Sequence, residues 1–449
     1  MKCKALSRFT MLDCVFMLSM KVYPIVFFAF IFSLASGFLS ASGGERWYRG
    51  NTHTHTLWSD GDDLPESVAD WYKRHGYHFL VLSDHNILSR GERWKTLRAD
   101  EAVPVLQKAA KRWGKDHVQT RIHEGEKQVR LMPLSEVRKL VEKPKKFIMI
   151  EGIELTSGPS GFAVHSNPLN VSEHLEVHRK TSRSVVEDLA DHERLVHEHQ
   201  AKTGDPVFWQ VNHPNYKFSV TGEMLADIEG LHGVEIMNSS SNCFNLGDGS
   251  RPSLERIWDI ANTLRLKRGG LPPIYGTATD DTHDYHVGDY VMNAPGTSWV
   301  MVRARALTPN AIAKAMQQGM FYSTTGVILK KLEFDAEAGT LTVVVKKKKG
   351  LNYRIDFIGT HKEASLDHEE VEAIVDEKGL SHPVTADYAD ERIGMSLQST
   401  EGSKAVYRMT GDELYVRGVV HCDAPPYFKY DAYSDFVQKA WTQPVGWKD

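Results

Sequence analysis

The chain has 449 residues, with 54 Lys and Arg against 58 Asp and Glu and a formal net charge of −4. That length holds one large domain and a smaller one, and nothing in so even a balance argues for a nucleic-acid binder. Of the four cysteines, Cys3 and Cys14 fall in the leader, which excludes a thiolate metal cluster; Cys243 and Cys422 alone do not establish a disulfide.

Lys2, Lys4 and Arg8 precede the segment MKVYPIVFFAFIFSLASGFLSASGG, which starts at Met20. A short basic stretch, an apolar run and small residues suited to cleavage read as a secretion signal. Met20-Lys21 looks like a natural start. An uncleaved copy would anchor the chain in a membrane, but Pro24, Ser33, Ser36 and Gly37 interrupt the run. Residues 1–43 are therefore read as leader and signal peptide. The mature chain is expected to be exported, periplasmic or extracellular, with membrane contact only through an uncleaved leader.

The next stretch, NTHTHTLWSDG, spans Asn51 to Gly61. At a strand end, His53 and His55 share a face, and Asp60 returns from the loop. Two imidazoles and a carboxylate suit a divalent metal; surface histidines in a polar loop are the plainer alternative. A helix follows, with Asp63 as cap, Pro65 in its first turn and Gly76 at its end. Tyr77–Ser83 reads as a buried parallel strand delivering Asp84 and His85. Residues 88–130 are a polar, helix-prone insertion. A helix near Ser135–Glu142 precedes the strand KFIMIEGIELT, whose parity favours Glu154 over Glu151 as the inward carboxylate. His165 follows eleven residues later.

A second charged, helical insertion at 172–204 carries His174, His178, His192, His197 and His199, expected to lie on a solvated helix surface. PVFWQVNHPN is a strand ending at Asn212 and His213, with Lys217 just beyond. GVEIMNSS is a strand ending at Asn238. PPIYGTATDDTHD delivers Asp281 and His283, the D-x-H pairing favouring Asp281 over Asp280. A helix closed by Gly319 and the short strand Phe321–Ser323 follow. Alternating strands and helices with polar residues at strand C-termini predict a distorted (β/α)7 TIM-like barrel over 44–330, with the two insertions on its lid side. Residues 331–449 alternate in strand fashion and predict a small β-sandwich-like domain. Its run Lys346–Lys349, followed by Gly350, reads as a solvated hairpin end.

A barrel brings strand ends to one rim. His53, His55, Asp60, His85, Glu154, His165, His213, Asp281 and His283 would then face one cavity. These are too many ligands for one ion; three ions with Glu154 bridging two would satisfy the count. There is no G-x-S-x-G elbow and no phosphate-binding Gly-rich loop, so no protein nucleophile is apparent. Asp84 is the candidate general acid. Lys217 and Arg90 are candidates to grip phosphate oxygens, and Asn238 to line the pocket.

The motifs HTH with Asp60, SDH at Ser83–His85, GIELT around Glu154, NHP at His213 and DTH at Asp281–His283 resemble those of the PHP (polymerase and histidinol phosphatase) family. The resemblance covers about Arg49 to Gly326. It implies a trinuclear site of zinc, manganese or iron. One ion would take His53, His55, Glu154 and Asp281, a second Glu154, His165 and His213, and a third Asp60, His85 and His283. The spacing of His165 from Glu154 resembles the phosphoesterase branch, and the C-terminal YVRGVV and AWTQP resemble secreted CehA/McbA-type metallohydrolases. The implied function is a metal-dependent phosphoesterase that attacks a small phosphate ester with a hydroxide bridging two ions. Alternatives are an amide, carbamate or carboxylic ester hydrolase on the same metals, and a non-catalytic module of the PHP type.

Overall fold

Short apolar runs that do not alternate, such as Phe79–Leu82 and Phe208–Val211, are buried at every residue and become central parallel strands. They belong to a computed structural model that describes residues 44–97, 99–177, 184–286, 293–428, 430 and 433–448. The leader and signal segment and His178 lie outside the described residues.

Two parallel triplets form the heart of the fold. Arg46–Asn51, Phe79–Leu82 and Ile148–Glu151 pair in that order, and so do Phe208–Val211, Gly233–Asn238 and Tyr275–Thr279. They lie in different sheets. The first sheet continues antiparallel from Arg46–Asn51 through Trp299–Ala304 and Phe321–Thr324. The second continues from Phe208–Val211 into the antiparallel hairpin Leu155–Ser157 and Val164–Leu169. Single bridges, Thr54 to Thr282, His85 to Glu154 and Gly152 to Leu169, link the two sheets. The expected barrel is therefore not closed by continuous ladders: Val164–Leu169 of the hairpin runs against the parallel strands, and among the described residues the two sheets pair only through single bridges. The protein is a mixed α/β structure, with seven α-helices among the described residues.

At Gly50 the strand passes so close to Phe79 that a Cβ would fall 2.1 Å from its ring. Phe79, Val81, Ile150, Phe208, Val300 and Phe321 fill the core there.

The helix Pro65–Arg74 starts at Pro65 and ends before Gly76 at φ 78°, but its N-cap is Leu64. Asp63 caps nothing; it accepts from the Leu64 amide (2.8 Å) and from Lys108 Nζ (2.5 Å). The first insertion holds the helix Ala99–Trp113 and also a three-stranded antiparallel sheet of Arg93–Thr96, Glu126–Leu131 and Thr120–His123. The last strand is exposed throughout, so its sequence carries no alternation to reveal it. In the second insertion, Ser184 and Glu187 form a capping box on the helix Val185–Thr203. His174 and His197 are exposed, but His192 and His199 are buried, against expectation. His192 sits between Ser157 Oγ (3.1 Å) and Ser166 Oγ (2.9 Å), which fastens this helix to the hairpin behind the site.

The C-terminal strands do alternate. Tyr353–His361, Met395–Glu401, Glu413–Cys422 and Gln438–Thr442 extend the first sheet beyond Phe321–Thr324. Leu329–Asp335, Thr340–Val345 and Lys404–Arg408 form a separate three-stranded sheet. Val343, Ile355 and Tyr407 share a core with Tyr72, Leu80 and Trp299. Cys243 and Cys422 are free and buried.

Candidate metal centre

The chain leaves the strand Arg46–Asn51, bridges Thr54 to Thr282, and turns back at Gly61. A Cβ at Gly61 would lie 2.7 Å from the His55 carbonyl carbon, so only glycine permits the turn that returns Asp60. Asp84 holds the turn from beneath. Its Oδ1 accepts from Thr56 N (2.8 Å), Ser59 N (3.1 Å) and Ser59 Oγ (2.7 Å), and its Oδ2 from Thr56 Oγ1 (2.9 Å). Burial pushes this carboxyl up to about 6. Both oxygens are spent on the amides and hydroxyls of Thr56 and Ser59, so Asp84 supports the loop and is not part of the cavity lining.

His53 Nε2 and His55 Nε2 lie 3.0 Å apart. Asp281 Oδ1 stands 3.1 and 3.2 Å from them, and the Glu154 carboxylate 3.3 and 3.4 Å. All four side chains are buried. Around this knot, His165 Nδ1 is 3.1 Å and His213 Nε2 3.5 Å from Glu154 Oε1, and His85 Nδ1 is 2.7 Å from Glu154 Oε2. Asp60 stands 3.4 Å from His85 Nε2 and 3.5 Å from both His283 Nε2 and His55 Nδ1. All nine expected ligands thus converge, with Glu154 at the centre.

Their grouping differs from the one the resemblance implies. Mutually close ligand atoms join His85, Glu154 and His165, while His213 falls with His53 and Glu235, and His55 joins Asp60, His85 and His283.

The donor set fits a cation. Glu154 Oε2, His165 Nδ1 and Asp281 Oδ1 are buried and make no hydrogen bond, an arrangement that costs free energy unless something else satisfies them. Imidazoles and carboxylates suit zinc, manganese and iron.

The cluster's charges are strongly coupled. Burial opposes protonation of His85, yet Glu154 and Asp60 push it up to about 11. His283 rises against burial to about 9 beside Asp60 and Asp281. His53, also against burial, is raised well above its ordinary value by Asp281, Glu154 and Glu235. Burial lowers His55 to about 3, with His283 adding to the effect, and lowers His165 to about 4. The imidazoles hold Asp60, Glu154 and Asp281 below the usual carboxylate range despite burial. The raised histidines carry protons that a cation would displace.

Two of the ligands sit in left-handed backbone, His213 at φ 27° and Asp281 at φ 49°. Such strain persists only where the surroundings impose it. Asp280 supplies the restraint beside Asp281: it accepts from Ser298 N, Thr297 N and Gly296 N at 2.8–2.9 Å and from Tyr72 Oη at 2.8 Å.

None of the three residues expected to meet substrate is among those that line the cavity over the cluster. Arg90 makes a two-pronged pair with Glu151 at 2.7 and 2.6 Å, which also accounts for Glu151's absence from the cluster. Lys217 is exposed, its ammonium 5.4 Å from the Tyr216 ring centre. Asn238 is buried and donates to Glu235 Oε2 (2.8 Å) and Asp281 Oδ2 (3.0 Å), so it orders ligands.

Glu235 is a residue the sequence reading passed over. It takes His53 Nδ1 at 2.7 Å and accepts from the His213 amide, Thr279 Oγ1 and Gln210 Nε2. The available signal was a glutamate inside the otherwise apolar strand GVEIMN. Asn212 was read only as a strand end; its Nδ2 donates to Glu154 Oε1 at 2.9 Å. A cavity of about 230 Å³ opens over the cluster, and Tyr216, Ser240, Asn242, Cys243 and Asn293 complete its lining.

No family model and no curated sequence matches this chain. Among solved structures it is similar to a two-domain protein from Bacteroides vulgatus containing a predicted PHP-like metal-dependent phosphoesterase. That match has 12% identity, covers 84% of this chain and 91% of that one, and has a TM-score of 0.40. A provisionally named metal-dependent phosphoesterase from Bifidobacterium adolescentis matches at 12% identity, covering 52% and 87%, with a TM-score of 0.29. An amidohydrolase from Chromobacterium violaceum matches at 12% identity, covering 53% and 88%, with a TM-score of 0.26. Likeness this loose decides neither family nor activity.

Proposed function

We propose that the chain is a metal-dependent hydrolase of the PHP type that cleaves phosphate esters of small molecules. The observation that carries this reading is the meeting of His53, His55, Glu154 and Asp281 in a buried knot where carboxylate oxygens lack hydrogen bonds. The two sheets linked at Thr54–Thr282, His85–Glu154 and Gly152–Leu169 are read as the wall of a distorted (β/α)7 barrel. His53, His55, Glu154 and Asp281 would hold one cation, Glu154 with His165 and either His85 or His213 a second, and Asp60, His85 and His283 a third. Bound zinc, manganese or iron supplies Lewis acidity, lowering the pKa of water from 15.7 to roughly 7 and stabilising charge on the phosphoryl oxygens.

The chain's own part is orientation. Glu235 fixes the His53 ring, Thr156 Oγ1 sits 2.5 Å from His85 Nδ1, and Asn212 steadies Glu154. Export through the apolar leader belongs to the same proposal and rests on sequence alone.

Metal-reconstituted protein assayed on p-nitrophenyl phosphate, bis(p-nitrophenyl) phosphate, an aryl acetate and an aryl carbamate tests the reading. The expected result is phosphate-ester turnover that chelation abolishes and metal restores. Turnover of the acetate or carbamate alone would assign the alternative carbonyl chemistry. Bound metal without any turnover would assign a non-catalytic module.

A further inference from the structure

We propose that Tyr216 is the side chain of this site that touches the substrate's scissile group, donating a hydrogen bond from its phenol to a phosphoryl oxygen. The inference rests on the phosphoesterase reading and names a substrate contact that the ligand motifs do not contain.

Tyr216 lines the same cavity as Glu154, His165, His213 and Asp281. Its ring stands edge-on to His213, with centres 5.2 Å apart at 83°, and 5.9 Å from His165. It is half-buried, and its hydroxyl makes no hydrogen bond among the described residues. Of the other phenols near the site, Tyr72 donates to Asp280 and Tyr285 to the His55 carbonyl, while Tyr433 accepts from Asn245 and does not line the cavity. Tyr216 therefore brings a free donor to a cavity whose other walls are largely imidazole and carboxylate.

The backbone fixes the turn that carries this ring, and the ring rests against His213 and His165. Tyr216 opens a tight turn, Tyr216–Phe218, between His213 at φ 27° and Lys217 and Phe218 at φ 49° and 46°. Three non-glycine residues in left-handed backbone within six positions mark a turn that its surroundings impose. Asn215 Nδ2 supplies part of the restraint, donating to the carbonyls of Phe244 (3.0 Å) and Pro252 (3.1 Å). A donor fixed in advance beside developing charge is the arrangement that stabilises a transition state most, because nothing needs to reorganise.

Tyr216→Phe removes one oxygen and keeps the ring against His213 and His165. Wild type and variant are loaded with zinc or manganese, checked for metal content and melting temperature, titrated with inorganic phosphate by calorimetry, and assayed on p-nitrophenyl phosphate. The variant is expected to keep its metal and its melting temperature, to bind phosphate about tenfold more weakly, and to lose about 10²-fold in kcat with a smaller change in KM. Equal phosphate affinity and equal kcat in the two proteins would overturn the inference while leaving the phosphoesterase reading standing. Loss of metal from the variant would also overturn it, because the ring would then serve the ligands. A metal-loaded wild type that neither binds phosphate nor cleaves any phosphate ester would overturn the phosphoesterase reading, and the inference with it.

Discussion

His53 Nδ1 stands 2.7 Å from Glu235 Oε1, and both side chains are wholly buried. The other ring nitrogen, Nε2, is left to Asp281 at 3.1 Å and Glu154 at 3.3 Å. A carboxylate behind a ligating imidazole fixes its tautomer and its aim. Glu235→Gln keeps the shape and removes the charge. It is expected to weaken metal binding about 10–100-fold in a protein that still folds. Equilibrium dialysis against zinc or manganese measures this, and unchanged affinity would show that Glu235 only fills space.

Asp84 was the candidate general acid, and its four hydrogen bonds to Thr56 and Ser59 give it another task. Asp84→Asn is expected to lower the melting temperature, with about 1–3 kcal/mol lost where a donor goes unpaired. At equal metal content kcat stays within a few fold. A general acid would instead cost about 10²–10⁴-fold, so a drop of that size would restore the proton-carrier role.

In metal-free protein His85 is raised to about 11 and His283 to about 9. A histidine raised above its unfolded value of about 6.5 stabilises the fold fully below that pH and loses its contribution as pH climbs through the folded value. Chelated protein should therefore melt at steadily lower temperature from pH 7 to pH 10. Metal competes with the same protons, so metal affinity should rise over that range and binding should release protons. Melting curves and calorimetry in buffers of different ionisation enthalpy check both. Chelated protein whose stability rises with pH would contradict the charge arrangement.

Arg90 is half-exposed and paired with Glu151, away from the lining of the cavity. Arg90→Ala should leave kcat/KM within about twofold and change stability by about 0–1 kcal/mol, as exposed ion pairs do. A rise in KM of tenfold or more would place its guanidinium on the substrate.

Most of the candidate ligands were legible because they stand just past the C-terminal end of a parallel strand, as His53, His85, His213 and Asp281 do; Asp60 sits in a turn and His165 near the start of the antiparallel strand Val164–Leu169. Alternation points to His53 with His55, and alternation together with the GIEL motif points to Glu154 in place of Glu151. Glu235 escaped because a single carboxylate in an apolar strand is ambiguous until its partner His53, 182 positions away, is seen. The roles of Asp84, Arg90 and Asn238 are set by such distant partners as well. In the first insertion the strand Thr120–His123 was hidden because it is exposed throughout, and Glu126–Leu131 because only Val129 and Leu131 mark its buried face. The split of the parallel strands between two sheets accompanies the antiparallel hairpin Leu155–Ser157 and Val164–Leu169, which is too short and too polar to announce itself.

Elemental analysis of wild type and Glu154→Gln, each purified folded and equilibrated with zinc, manganese or iron, tests the central claim most directly. Glu154 touches His53, His55, His85, His165 and His213. Two or three equivalents of metal per wild-type chain are expected, with at least one equivalent lost on changing this carboxylate to an amide. A folded wild-type chain that stays free of metal at saturating concentrations would contradict the metal centre.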